Sequence, residues 1–392
     1  MTKKIFATQN EISEWSYTSS QPYADPFNEV ELDVLFTGPG GQTWRVPAYW
    51  AGGQEWRVRF APPAPGDYSI TTECSDPANG SLHGQPAQLE AHPYAGANPL
   101  LTRGPLRVAA SRRTLEHADG TPFFWLGDTW WMGLCRRFKW PEDFKTLTAD
   151  RTAKGFTLVQ IVAGLYPDMP GFDPRGANEA GFPWEADYAR LNPAYFDQAD
   201  LRIGWLVRAG LVPCIVGSWG YYLPLLGMHK MKQHWRNMIA RWGAYPVMWC
   251  LAGEAESPYY LSEDREGDIQ AQITGWLEFA RYLRKLDPFQ RLLVVHAAPQ
   301  IVAGAEAERL LDADLIEPAH GGPESVVASV NLMQRAYAHE PPLPALIDEV
   351  SYEGIMHYSG AEVQRLTFWT AMLSGAAGHT YGANGLWQMN AR

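Results

Sequence analysis

The residues best suited to chemistry in this chain are acids, imidazoles and indoles that each stand just past a short apolar run. Glu254 follows Val247–Leu251, and Glu349 follows Ala345–Ile347. A pair of carboxyls can cleave a glycosidic bond through an oxocarbenium-like state. One protonates the leaving oxygen while the other attacks the sugar or activates water, and a retaining pair stands roughly 5–5.5 Å apart. Glu256, two residues on, is an alternative partner to Glu254. Past the other runs come Asp128, Trp130 and Trp131, then Tyr166 and Asp168, Trp219, His296, Glu317 and His320, Tyr352 and Glu353, and last His379, Tyr381 and Trp387. Taken singly, each has a plain structural reading as a cap, a packed ring or a solvated charge. Together, with few Lys or Arg among them, they describe a cup for a neutral polyhydroxylated ligand. Trp130, Trp219 and Trp387 are candidate stacking faces, and Asp128 and His379 are candidate hydroxyl binders. Tyr352 or His296 would hold Glu349.

Other chemistries find less support. The histidines are scattered, no H-x-H or HExxH pattern occurs, and His229 and His234 are five apart, off one helical face. No metal and no cofactor is expected. Ser218, in Gly217-Ser218-Trp219-Gly220, lacks the G-x-S-x-G elbow of a serine hydrolase.

Composition narrows the partners. Across 392 residues the net charge is −11, and no dense Lys/Arg cluster offers a face for nucleic acid. No apolar stretch approaches the ~20 residues of a spanning helix, and the start has no apolar signal region, so a cytoplasmic protein without membrane partners is expected. Four widely spaced cysteines fit reduced, buried thiols. Aromatics make up 13% of the chain, which suits either a large core or a pocket walled for the C–H faces of sugars.

Two kinds of periodicity divide the chain. Up to residue 95, apolar and polar residues alternate: Val30, Leu32 and Val34; Trp44 and Val46; Trp56, Val58 and Phe60. Gly/Pro turns separate these runs, which predicts a small all-β immunoglobulin-like sandwich over 1–95, with Phe60–Ile70 as a late hairpin. Over 96–392 short apolar runs alternate with helical segments. Strands are expected at Phe123–Leu126, Thr157–Val162, Leu211–Val216, Val247–Leu251, Leu292–Val295, Leu315–Ile316, Ala345–Ile347 and Gly378–Tyr381. Helices are expected at Pro141–Lys154, Pro193–Ala209, Met228–Trp242, Asp268–Leu286, Glu306–Asp312, Pro323–Ala338 and Ala361–Leu373. Eight such units predict an α/β fold, a (β/α)8 TIM barrel whose strand C-termini converge on one site. A doubly wound sheet would more usually carry a Gly-rich phosphate turn after its first strand, and Leu126-Gly127-Asp128-Thr129 is none. No eighth helix is evident, which leaves an apolar gap for a partner chain and makes a homo-oligomer an expectation.

The segments WLGDTWW (Trp125–Trp131), YPVMWCLAGE (Tyr245–Glu254), LIDEVSYEG (Leu346–Gly354) and AAGHTYGANGLWQM (Ala376–Met389) resemble the apiosidase-like (β/α)8 glycoside hydrolases, family 140 and its relatives. Residues 8–90 resemble the immunoglobulin-like domain of unknown function that often precedes them. The resemblance implies a retaining hydrolase with Glu349 as nucleophile and Glu254 as acid/base; a small, furanose-class glycoside is the expected substrate, and the many aromatic loops, which would close one end of the cup, suggest exo action. The wider superfamily usually has Asn-Glu where this chain has Gly253-Glu254, and the apiosidase-like family more often Gly-Asp. A non-catalytic carbohydrate-binding barrel and an inverting hydrolase on the same cup are the competing readings.

Overall fold

The computed structural model describes residues 3–306 and 308–390. Its first region consists of two sheets. One has the order Lys3–Thr8, Ala87–His92, Gly66–Cys74, Leu32–Thr37, Thr43–Pro47, and the other Ser13–Thr18, Glu55–Phe60, Tyr49–Gly52. The alternating apolar residues meet between them: Leu32, Val34, Trp56 and Val58 are buried, and the Phe36 and Phe60 rings stack at 3.9 Å. The expected hairpin over Phe60–Ile70 is instead a crossover, since Glu55–Phe60 and Gly66–Cys74 lie in different sheets. Pro62, Pro63 and Pro65 have no N–H to donate, so the segment cannot continue a ladder.

A small antiparallel sheet of Leu106–Val108, Leu115–His117 and Pro122–Phe123 precedes the barrel. It claims Phe123, which pairs with Leu115, so the first barrel strand starts later than the sequence suggests. The barrel strands are β1 (Trp125–Thr129), β2 (Leu158–Val162), β3 (Val212–Val216), β4 (Met248–Cys250), β5 (Leu293–Val294), β6 (Asp314–Ile316), β7 (Ala345–Ile347) and β8 (Gly378–Tyr381). They form one parallel sheet in the order β5-β4-β3-β2-β1-β8-β7-β6, and a single bridge between His296 and Leu315 links its two ends. Every residue of β2 and β3 is buried, as expected for parallel strands covered on both faces.

The helices between them are α1 (Glu142–Ala153), α2 (Pro193–Arg208), α3 (Tyr222–Trp242), α4 (Arg265–Leu286), α5 (Pro299–Ala305), α6 (Pro323–Tyr337) and α7 (Ala361–Leu373). Acids sit in the first turn of α1, and Asn192 caps α2 by accepting from the Ala194 amide. α3 starts earlier than expected and is interrupted at Gly227, whose φ is 77°. α4 also starts earlier, at an Asp264 cap. The helix expected over Glu306–Asp312 lies at Pro299–Ala305, because Pro299 opens it and the Glu256 carboxylate accepts from the Gln300 and Ile301 amides. Among the described residues no helix follows β8. Residues 382–390 fold back over the barrel, and the Met132 amide donates to the Trp387 carbonyl at 3.1 Å.

Buried charges join the two regions. Arg59, from the strand Glu55–Phe60, donates to Asp200 at 2.6 Å and to the Arg241 carbonyl at 2.8 Å. Asp200 also accepts from Arg241 and from the Trp242 indole. All four cysteines are buried and free, and no helix is long and apolar enough to cross a membrane.

Candidate active site

The loops that leave the barrel strands carry non-glycine residues at positive φ: Asp168 at 55°, Glu254 at 40°, Ala297 at 49° and Ala319 at 73°. L-residues adopt this region only when their surroundings hold them there, and such strain gathers at functional sites. In this barrel it gathers at the strand C-termini.

Glu349 is the centre of the arrangement. One of its oxygens lies 3.0 Å from His320 Nε2, the other 3.3 Å from His296 Nε2, and the residue is 4% exposed. Burial alone would push this carboxyl up, but the two imidazoles paired with it pull it down to about 2. His296 is fully buried, with Asp348 beneath it at 2.7 Å from Nδ1. Burial disfavours its charge, yet Asp348 and Glu349 on either side hold it well above the ordinary imidazole value, as imidazolium. Burial opposes His320 as well, and the Glu349 carboxylate outweighs it. The Tyr352 hydroxyl accepts from the Trp131 indole at 2.8 Å, and its ring lies 4.8 Å from His320 and 6.1 Å from Trp387.

The neighbouring acids respond in the opposite sense. Glu254 is pushed up by burial and then by the charge of Glu349. Glu317 lies 4.0 Å from His296 and 3.9 Å from His320. Burial and then Glu349 push it up to about 8. Asp168 is raised by the same two causes. The pocket thus favours charge on Glu349 and resists it on Glu254, Glu317 and Asp168.

Trp131 and Trp219 enclose His296, with ring centroids 5.4 and 5.9 Å from it and 5.5 Å from each other. Both are nearly buried, so they wall the cup, and the half-buried Trp387 offers the more open face.

Six residues predicted for sugar binding lie elsewhere. The Asp128 carboxylate is fully buried and bound by Arg151 and by the Trp130 indole, both at 2.6 Å. Trp130 itself packs edge-on against Phe138 and Phe144. His379 faces Phe368 of α7, and burial lowers its imidazole to about 4. Tyr381 lies under Arg151 and donates to Glu353 at 2.9 Å. Both residues of that pair therefore belong to the layer between barrel and helices. Tyr166 is buried against the Tyr195 hydroxyl at 2.9 Å. For Asp128 the cause is that placing β1 too early counted it as a loop residue, whereas side chains of one strand alternate between barrel interior and helix layer. Glu256 is likewise engaged at the start of α5.

Two residues without a predicted role join the site. Glu317 stands at the end of β6, where position alone pointed to it. Asp348 precedes Glu349, and only the inward parity of β7 distinguishes the two. Glu317, His320 and Glu349 each bring one potential ligand atom within 4.8 Å of the others. A cation there would have to displace the proton that His320 holds against Glu349.

Residues 109–392 match the family described as "Apiosidase-like, catalytic domain", and residues 7–75 match a domain of unknown function, DUF5060. No curated protein matches the chain. Among solved structures, a provisionally assigned glycoside hydrolase of Bacteroides vulgatus ATCC 8482 is 18% identical, with 97% of this chain and 72% of that one covered and a TM-score of 0.71. A family 5 glycoside hydrolase of the same organism is also 18% identical, covering 74% and 65%, with a TM-score of 0.59. A further glycoside hydrolase is 19% identical, covering 75% and 68%, with a TM-score of 0.55. At these identities the likeness is one of fold.

Proposed function

The chain belongs to the apiosidase-like catalytic-domain family and is a glycoside hydrolase, and we propose that it retains anomeric configuration, with Glu349 as nucleophile and Glu254 as acid/base. The observation that supports this is the opposite displacement of two neighbouring carboxyls. Glu349 is held near 2 by two imidazoles, while Glu254 is raised by burial and by Glu349 itself. Neighbouring acids pushed apart in this way divide the roles of base and acid.

In the first step Glu349 attacks the anomeric carbon as Glu254 gives its proton to the departing oxygen. The product is a glycosyl ester on Glu349 and a free alcohol. Water then adds to the same carbon, Glu254 takes its proton, and the ester bond breaks to release the sugar. In the resting state His296 and His320 keep Glu349 ionised. Trp131 and Trp219 exclude water from the imidazole side.

The proposed substrate is a terminal furanose-class sugar, apiose among the candidates. The family description and the folding of residues 382–390 back over the barrel support this reading. A screen of nitrophenyl glycosides, including apioside, arabinofuranoside and galactofuranoside, tests it on the wild type and on Glu349→Ala. Release from one furanoside by the wild type, lost by at least about a thousandfold in the variant, is expected. NMR of the first product should show the substrate's anomer, and the opposite anomer would refute retention.

A further inference from the structure

The barrel wall is thinnest between β5 and β6. β5 has two residues, the helix after it has seven, and the single His296–Leu315 bridge closes the sheet. Beside this seam lies a cavity of about 550 Å³. Its lining includes Ser257, Val302, Leu315, Glu317, Leu332 and Arg335. Its lining meets the candidate cup at Glu317, which stands 4.0 Å from His296 and 3.9 Å from His320, and at Ser257, whose amide donates to the Glu254 carbonyl at 2.9 Å.

We propose that this cavity is the aglycone site and takes a neutral, apolar alcohol, alkyl or aryl, while that alcohol is still bonded to the sugar in the cup. The inference rests on reading Glu254 as the acid. The acid touches the leaving oxygen, so the atoms beyond that oxygen begin at Glu254, and Ser257 leads from Glu254 into the cavity. The volume falls within the range of small-molecule sites. Between β6, α5 and α6 the lining is largely aliphatic, with Val302, Leu315, Ile316 and Leu332 among it. The charged lining is mixed, with Arg112, Arg309 and Arg335 set against Glu306 and Asp314, while Glu317 is pushed toward its neutral form. An anionic aglycone therefore gains little there, while an apolar one gains about fourfold in affinity for each methylene it buries.

The test has two arms. In the first, methyl, butyl and octyl glycosides of the sugar identified by the nitrophenyl screen are compared on the wild type. We expect kcat/KM to rise at least about tenfold from methyl to octyl, mainly through KM, since this binding is shared by ground and transition states. In the second, free 1-octanol is titrated calorimetrically into the wild type and into Glu349→Ala. Saturable binding at one site is expected in both. Leu332→Trp from α6 and Ala303→Trp from α5 each narrow the cavity, and each should weaken octanol at least about tenfold and flatten the chain-length series. Ala303 is exposed, so its variant remains informative where Leu332→Trp fails to fold. A flat series on an active enzyme, or octanol binding unmoved by both variants, overturns the proposal. An enzyme active on every chain length but indifferent to Glu254→Gln removes the catalytic reading instead, and octanol binding then decides whether the cavity binds apolar alcohols at all.

Discussion

The Trp219 indole occupies the space a side chain at position 253 would need: a Cβ built on Gly253 would lie 2.3 Å from Trp219 Cζ3. The backbones of the two residues form a parallel bridge, so neither can withdraw easily. The asparagine that usually precedes the acid in the wider superfamily has no room here. A tryptophan from the end of β3 takes that volume and walls the cup.

Gly253→Ala should therefore displace Trp219 and, through it, the adjoining Glu254. A misplacement of about 1 Å near reacting groups is worth roughly a hundredfold in rate. The expected result is a fall in kcat/KM of that order with the thermal midpoint lowered by only a few degrees. Adding Trp219→Leu should recover part of the rate by vacating the space. Full activity in the single variant would show that the contact is not limiting.

Asp200 holds two buried arginines, Arg59 from the sandwich and Arg241 from the barrel, and accepts the Trp242 indole. Removing one partner from a buried ion network leaves charge without compensation, at about 3–5 kcal/mol. Asp200→Ala should lower unfolding stability by that order in urea, followed by tryptophan fluorescence. An Arg45→Ala variant, whose partners Asp33 and Glu73 are more accessible, should change it by about 1 kcal/mol or less.

The proposed pair, Glu254 and Glu349, was legible because such chemistry needs acids at strand ends, and strand ends can be read from short apolar runs. The flanking residues were legible only where the strand boundary was right. At β7 it was, and Glu349 and Tyr352 lie in the cup. At β1 a small sheet took Phe123, the boundary moved, and Asp128 and Trp130 passed to the helix layer. Glu317 needed a different signal, since its displaced protonation arises from Glu349, which is distant in sequence. The same holds for Gly253, whose reason is a ring from another strand.

His320 is one of two donors to Glu349, and it is partly exposed where His296 is sealed. A hydrogen bond to a charged group contributes about 1.5–3 kcal/mol, or about one to two pH units on the carboxyl it serves. His320→Gln should shift the acidic limb of kcat/KM upward by that amount. The stability signs are separate. Glu349, depressed, stabilises the fold above its ordinary value of 4.5, and this is lost as pH falls toward 2. His320, raised, stabilises it below its ordinary 6.5, and this is lost as pH rises through its higher folded value. The variant should thus lose its disadvantage to the wild type at alkaline pH, measured by thermal midpoints across the range. An unmoved acidic limb would mean that His296 alone sets the nucleophile.

Glu254 is raised from its ordinary value and Glu317 is pushed up to about 8 beside Glu349, so both shift in the direction an acid needs. Their surroundings separate them. Glu254 stands on the loop after β4, whereas Glu317 faces His296 and His320, the two groups beside Glu349. Glu254→Gln should lower turnover on an unactivated alkyl glycoside by about a hundredfold or more, the usual scale of general acid catalysis. It should spare glycosylation by a dinitrophenyl glycoside, whose leaving group needs no proton, and added azide should then restore turnover by forming the glycosyl azide. Glu317→Gln should lower alkyl and dinitrophenyl glycosides alike and gain nothing from azide, because it acts on Glu349 through the imidazoles. The alkaline limb of kcat/KM should disappear in Glu254→Gln and persist in Glu317→Gln. The reverse pattern, with azide rescue in the Glu317 variant alone, would transfer the acid/base role from β4 to β6.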